Sequence, residues 1–168
     1  MGFSPVVGGN ARVLILGSLP GRRSLEAGQY YAQPHNAFWR IMRMLVGAGP
    51  ELEYETRLER LRIAGIALWD VLAAGQRPGS LDASIVKATA VVNDFTSLFE
   101  REPNIELICF NGRTAEALFS RRVVPALTPA QSRITRLGLP STSPAYASMP
   151  FAEKLERWSV VLEHLSAS

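Results

Sequence analysis

Two neighbouring stretches of this chain carry the equipment to hold a flat, polar ring. The turn Gly17-Ser18-Leu19-Pro20-Gly21 leaves an apolar run, and Gln29-Tyr30-Tyr31-Ala32-Gln33-Pro34-His35-Asn36-Ala37-Phe38-Trp39 follows soon after. Glycines at 17 and 21 let a ligand press against main chain, and Pro20 fixes φ. Four aromatic side chains offer ring faces, and the Asn36 amide offers both a donor and an acceptor. Each piece also has a plain structural reading. The pentapeptide reads equally as a strand-to-helix turn, Phe38 and Trp39 as core at a helix start, and Asn36 as the cap of a helix beginning near Ala37.

Other familiar constellations are missing. No Gly-x-Gly-x-x-Gly follows the first apolar run and no Gly-Lys-Ser/Thr occurs, so dinucleotide and P-loop readings have nothing to rest on. His35 and His164 are the only histidines and Cys109 the only cysteine, which leaves zinc, disulfides and a thiolate-held cluster within one chain without ligands. A protein without metal or cofactor is expected. Cys109 lies in the apolar run Ile105-Glu106-Leu107-Ile108-Cys109-Phe110 and reads as a buried, inert thiol.

The 168 residues, 47% hydrophobic and 20% charged, suit one globular domain, expected to span 1–168. Lysine and arginine total 18 against 15 acidic residues, a net charge of +3, and Lys87 and Lys154 are the only lysines. The remaining cations are all arginine, whose planar fork suits phosphate. With a pI near 9.4 this is compatible with a polyanionic partner; a mixed, arginine-rich surface explains it equally well. No apolar run approaches the length of a membrane span, and no charged n-region precedes an apolar h-region at the N-terminus. A cytoplasmic protein off the membrane is expected.

Four short apolar runs must position these groups. They are Val13-Leu14-Ile15-Leu16, Ile66-Ala67-Leu68-Trp69, Leu107-Ile108-Cys109-Phe110 and the weaker Ile134-Thr135-Arg136-Leu137. Segments with helical spacing lie around them: Phe38, Ile41, Met42 and Leu45; Leu52, Leu58 and Leu61; Phe95, Leu98 and Phe99; Ala115, Leu118 and Phe119; and Leu155 to Leu165. Gly75-Gln76-Arg77-Pro78-Gly79-Ser80 reads as the longest loop. Apolar strands without alternation, separated by helices, indicate a mainly parallel four-stranded sheet covered on both faces, a three-layer α/β/α sandwich. Ligands of such sheets sit outside the carboxyl ends of the strands. Gly17 to Gly21, Asp70, Asn111-Gly112 and Leu139-Pro140-Ser141-Thr142-Ser143-Pro144 should therefore line one rim.

Taken together, these segments resemble the uracil-DNA glycosylase superfamily, most closely the branch of DNA-deoxyinosine, or hypoxanthine-DNA, glycosylases. The resemblance rests on Gly17 to Gly21, Ser24-Leu25, Gln29 to Ala32, Pro34, and Asn36 to Trp39. It continues through Gly65 to Val71 with Gly79-Ser80-Leu81-Asp82, through Phe110-Asn111-Gly112, and through Leu139 to Ala145. It implies a monofunctional enzyme that flips a deaminated base out of DNA and hydrolyses its N-glycosidic bond, with no metal or organic cofactor. DNA containing hypoxanthine or uracil is the implied partner, and a monomer the expected state.

The resemblance also implies roles. Phe38 matches the ring that stacks on the extruded base, with Gly17, Ser18, Tyr30 and Tyr31 around it. Asp70 stands where uracil-specific relatives place an asparagine. A carboxylate accepts the N1–H of hypoxanthine or N3–H of uracil but faces only lone pairs on adenine N1 and cytosine N3; a cap for a following helix is its alternative. Leu19 replaces the Asp or Asn of many relatives, so water positioning passes to Asn36. Ser141, Thr142 and Ser143 offer hydroxyls and amides for phosphate, and Tyr146, where Asn is common, is expected to wedge the duplex. The closing motif lacks the histidine of some relatives, and Gln33-Pro34-His35-Asn36 replaces the usual His-Pro-x-Asn. A mismatch-specific uracil glycosylase and a catalytically weak nucleic-acid-binding domain are the competing readings.

Overall fold

The three strongest apolar runs become strands buried along their whole length. In a computed structural model that describes residues 2–76 and 86–166, they are β1 (Val13–Gly17), β2 (Ile66–Asp70) and β5 (Leu107–Asn111). With β6 (Thr135–Leu139) they form one parallel sheet in the order β2-β1-β5-β6. Successive side chains of a strand point to opposite faces. Val13, Ile15, Ile66, Leu68, Leu107 and Cys109 enter one core with α2 (Phe38–Val46), α3 (Tyr54–Ala64), α7 (Phe151–Trp158) and α8 (Val160–Ser166). Leu14, Leu16, Ala67, Trp69, Ile108 and Phe110 enter the other, with α4 (Phe95–Arg101) and α5 (Arg113–Leu118). Two cores on one sheet make the expected α/β/α sandwich.

Several elements depart from expectation. The fourth strand runs from Thr135 rather than Ile134, and its outer position leaves Thr135, Arg136 and Gly138 exposed, which is why its apolar signal is weak. The C-terminal helix is two helices, because Ser159 turns its hydroxyl onto the Glu156 carbonyl at 2.5 Å and interrupts the ladder. A short α1 (Arg22–Ala27) follows the first turn, and a single turn, α6 (Pro129–Ser132), precedes β6. Gly75 and Gln76 belong to a strand, β3 (Leu72–Gln76), which pairs antiparallel with β4 (Val86–Val92); the rest of that expected loop, and Gly79-Ser80-Leu81-Asp82, lie outside the described residues. Among the described residues no helix is long and apolar enough to cross a membrane.

The chain passes from β1 to β2 on one side and reaches β5 on the other. The carboxyl ends of β1 and β5 thus flank the point where strand order reverses, which is where open α/β sheets bind ligands.

Candidate active site

A cavity of about 280 Å³ opens at that point, and the four strand ends meet in it: Gly17 to Gly21 from β1, Asp70 from β2, Asn111 from β5 and Ser141 to Ala145 after β6. Tyr30, Tyr31, Gln33 and Asn36 complete its wall, with Arg23 and Ser24 from α1. Glycine at 17 is required by close approach. A Cβ there would lie 2.6 Å from Asp70 Oδ1 and 2.9 Å from the Tyr31 hydroxyl, inside van der Waals contact with both. Gly17 and Asp70 are register partners in the parallel pair β1–β2, so the sheet itself brings the carboxylate over the glycine.

Asp70 is 4% exposed. Its backbone carbonyl accepts from Asn93 Nδ2 at 2.8 Å, while Val71 and Leu72 donate backbone N–H to Gly17 and Ser18 carbonyls. No helix follows it; the chain continues into β3, so the cap alternative falls. A buried carboxylate at the end of a strand and on a cavity wall offers acceptor capacity to an N–H that enters.

The aromatic loop is pinned at Tyr30. Its hydroxyl donates to the Ser4 carbonyl at 3.0 Å, its N–H donates to the Tyr54 hydroxyl at 3.0 Å, and its carbonyl accepts from Trp39 Nε1 at 2.8 Å. Burial, with the charge of Asp70 adding, holds the Tyr30 phenol well above its usual pKa. Tyr30 is therefore a strut whose hydroxyl is spent on the scaffold. Tyr31 next to it has φ of 55°, the left-handed region that L-residues with a Cβ rarely occupy.

Phe38 requires correction. It is 0% exposed, does not line the cavity, and has Tyr31 stacked on it, ring centroids 4.2 Å apart at 26°. Tyr31 lines the cavity, with Phe38 stacked against its ring. Trp39 is core, as its alternative reading held.

Asn36 does two things at once. Its Oδ1 accepts from the Phe38 N–H at 2.9 Å, an Asx turn one residue ahead of the helix cap Ala37, and the residue also lines the cavity. His35 is exposed and does not line the cavity.

The closing loop is fixed by a contact between Asn111 and Thr142. Asn111, 6% exposed, donates from Nδ2 to Thr142 Oγ1 and accepts from the Thr142 N–H, both at 2.9 Å. Asn111 is not the cap of α5; Gly112 holds that place with φ of 99°. Thr142, at 1% exposure, is thereby a clasp and not an open phosphate contact. Its carbonyl accepts from Ala37 N–H at 2.9 Å, tying the loop to the start of α2. Ser141 and Ser143 stay half-buried on the rim, with each hydroxyl accepting a local backbone N–H. Tyr146 lies just past the rim, 39% exposed.

A sequence profile of the Uracil DNA glycosylase superfamily matches residues 5–166. The chain belongs to this superfamily. Among curated relatives, a protein of Methanosarcina acetivorans named hypoxanthine DNA glycosylase is 40% identical over 80% of this chain and 90% of its own length. One of the same name from Methanosarcina barkeri is 42% identical over 67% of this chain and 70% of its own. A solution NMR structure of a candidate uracil DNA glycosylase from Methanosarcina acetivorans superposes with a TM-score of 0.78 at 36% identity, covering 98% of this chain and 97% of the other. The superfamily's sheet thus carries the strand-end cavity described above. Among the described residues no group of three or more His, Cys, Asp or Glu side chains is placed to hold a metal ion.

Proposed function

We propose that this chain is a monofunctional DNA glycosylase that takes a deaminated base, hypoxanthine or uracil, into the cavity and leaves an abasic site. The observation that carries the reading is the buried Asp70 carboxylate over Gly17, lining a cavity ringed by four strand ends. An acceptor in that place takes the N1–H of hypoxanthine or the N3–H of uracil. Adenine and cytosine present a lone pair instead, and two acceptors face to face in a dry pocket cost on the order of 1–3 kcal/mol. Tyr31 supplies the ring on which the base stacks. Asn36 positions the water whose oxygen bonds C1′ as the C1′–N bond breaks, its electron pair leaving with the base and the water proton following to solvent or base. An amide is a poor general base, so catalysis leans on positioning and on stabilising the developing sugar cation. Ser141 and Ser143 then contact backbone phosphate.

Incubation with duplexes containing one hypoxanthine or one uracil opposite each normal base, followed by alkaline cleavage, tests this. Strand scission at hypoxanthine, uracil or both is expected. Absence of scission with every substrate, alongside DNA binding, would replace the enzyme by a binding domain; scission only at mismatched uracil would make it a mismatch-specific enzyme.

A further inference from the structure

Two cations beside the cavity have no role in that chemistry. Arg40 is exposed in the first turn of α2, one turn beyond Asn36, and its guanidinium lies 4.9 Å from the centroid of the Phe151 ring. Lys154 of α7 is only 5% exposed, with its ammonium 5.3 Å from the centroid of the Tyr146 ring. Lysine is almost never so buried unless paired. Yet the ion pairs among the described residues involve Arg12, Arg43, Arg62 and His164, and neither Arg40 nor Lys154. Burial, and then the charge of Arg40, push the Lys154 pKa below the usual lysine value, so the two cations feel one another.

Their placement is rigid relative to the cavity. Tyr146 follows Ala145, the last cavity-lining residue of the closing loop. Ala37 at the start of α2 is bonded to Thr142, and Trp158 of α7 donates Nε1 to the Pro140 carbonyl at 2.9 Å. Both helices are thus tied to the loop that borders the cavity. Aromatic faces hold each cation without neutralising it, which leaves the pair suited to an anion arriving from outside.

Resting on the glycosylase reading, we propose that Arg40 and Lys154, held on the rings of Phe151 and Tyr146, form a two-cation seat for one backbone phosphate of the bound strand, next to the nucleotide drawn into the cavity. The seat supplies affinity and register, not chemistry.

The test is the salt dependence of binding to a duplex carrying a single non-hydrolysable tetrahydrofuran abasic analogue, read by fluorescence anisotropy. Each neutralised phosphate contributes about −0.9 to the slope of log K against log salt. The double variant Arg40→Met/Lys154→Met is expected to flatten the slope by about that amount and to weaken binding about tenfold at low salt. Lys154→Arg should keep the wild-type slope, as should Arg62→Met, which removes a cation paired with Glu59 at 3.6 Å. A wild-type slope in a double variant with native melting temperature would overturn the seat. Should Lys154→Met disturb folding, the exposed Arg40→Met decides alone, an unchanged slope again counting against it. If the wild type binds but cleaves nothing, the glycosylase reading fails while the slope still judges the seat; if it cleaves and the slope is unmoved, only the seat fails.

Discussion

Gly17→Ala places one methyl group where Asp70 and Tyr31, the proposed base reader and base platform, converge. The new Cβ starts 2.6 Å from Asp70 Oδ1 and 2.9 Å from the Tyr31 hydroxyl, against about 3.4 Å for ordinary contact. Gly17 lies in strand β1, paired on both sides, so alanine suits its backbone and the whole effect falls on the two side chains. Asp70 is held at its backbone by Asn93 and cannot retreat with the strand. Overpacking of this kind costs about 1–3 kcal/mol, which in a domain of this size lowers Tm by roughly 2–12 °C. Displacing catalytic or binding groups by a good part of an ångström costs about 100-fold in rate. Single-turnover cleavage of a hypoxanthine duplex and thermal melting by circular dichroism measure the two effects. Gly9→Ala, whose Cβ would meet nothing within 4 Å, serves as control and should change neither. A Gly17→Ala protein that cleaves within twofold of wild type would refute the placement of Asp70 and Tyr31 as the working pair.

Asn36→Ala should slow single-turnover cleavage by about 100-fold or more and cost about 1 kcal/mol through the lost bond to the Phe38 N–H. Asn36→Asp keeps that acceptor and should restore the melting temperature, so unchanged turnover in the alanine variant would remove the amide from the mechanism. Asp70→Asn can turn a donor toward the base, and its cleavage profile across hypoxanthine, uracil, adenine and cytosine should broaden; an unaltered profile would take base reading away from Asp70. Burial pushes the Cys109 thiol up from 9.0 to about 12. The neutral thiol therefore stabilises the fold fully below about pH 9, and this contribution is lost as pH rises toward 12. Urea midpoints of wild type and Cys109→Ala should converge between about pH 8 and about pH 10.5; a constant gap would show that the thiol does not ionise on unfolding. Tyr31→Ala should lower kcat/KM by roughly 5- to 150-fold, from about 1–3 kcal/mol of lost stacking. Tyr31→Gly should do the same yet melt above Tyr31→Ala, reversing the usual order in which glycine is the less stable.

The buried strands were legible because each is covered on both faces and so carries an unbroken apolar run, as in Val13 to Leu16 and Leu107 to Phe110. The β3–β4 hairpin was not, since its pairing joins Leu72 to Val92 across a distance in sequence, with register shifts that blur any alternation. At the site, chain order after each strand was enough to gather Gly17, Asp70, Asn111 and Ser141 on one rim, because a parallel sheet aligns its carboxyl ends. What local pattern could not carry was tertiary choice. Asn111 and Thr142 satisfy one another 31 positions apart, and nothing in Asn111-Gly112 announces that partner. Phe38 and Tyr31 compete for one ring position, and the sequence motif does not say which covers the other.

That competition is decided by the backbone. Tyr30 is bonded at its N–H, carbonyl and hydroxyl to three different parts of the protein, and Ser24 Oγ accepts the N–H of Ala32 on the far side. With both neighbours fixed, the one residue between them must accept φ of 55°, at a cost of roughly 1–2 kcal/mol for any residue with a Cβ. Glycine would occupy the turn without that cost, so tyrosine persists against local preference. The stack on Phe38 repays part of it, about 0.5–1.5 kcal/mol. The remainder is strain held at the cavity wall, and strain of this kind points to a residue retained for what it does to a ligand. The positive φ also orients Tyr31 with its ring on Phe38 and its hydroxyl over Gly17 beside Asp70. A glycine there would give a more relaxed loop, an uncovered Phe38 and no ring adjoining the carboxylate. The backbone strain and the proposed base platform are thus one feature, and relieving the first removes the second.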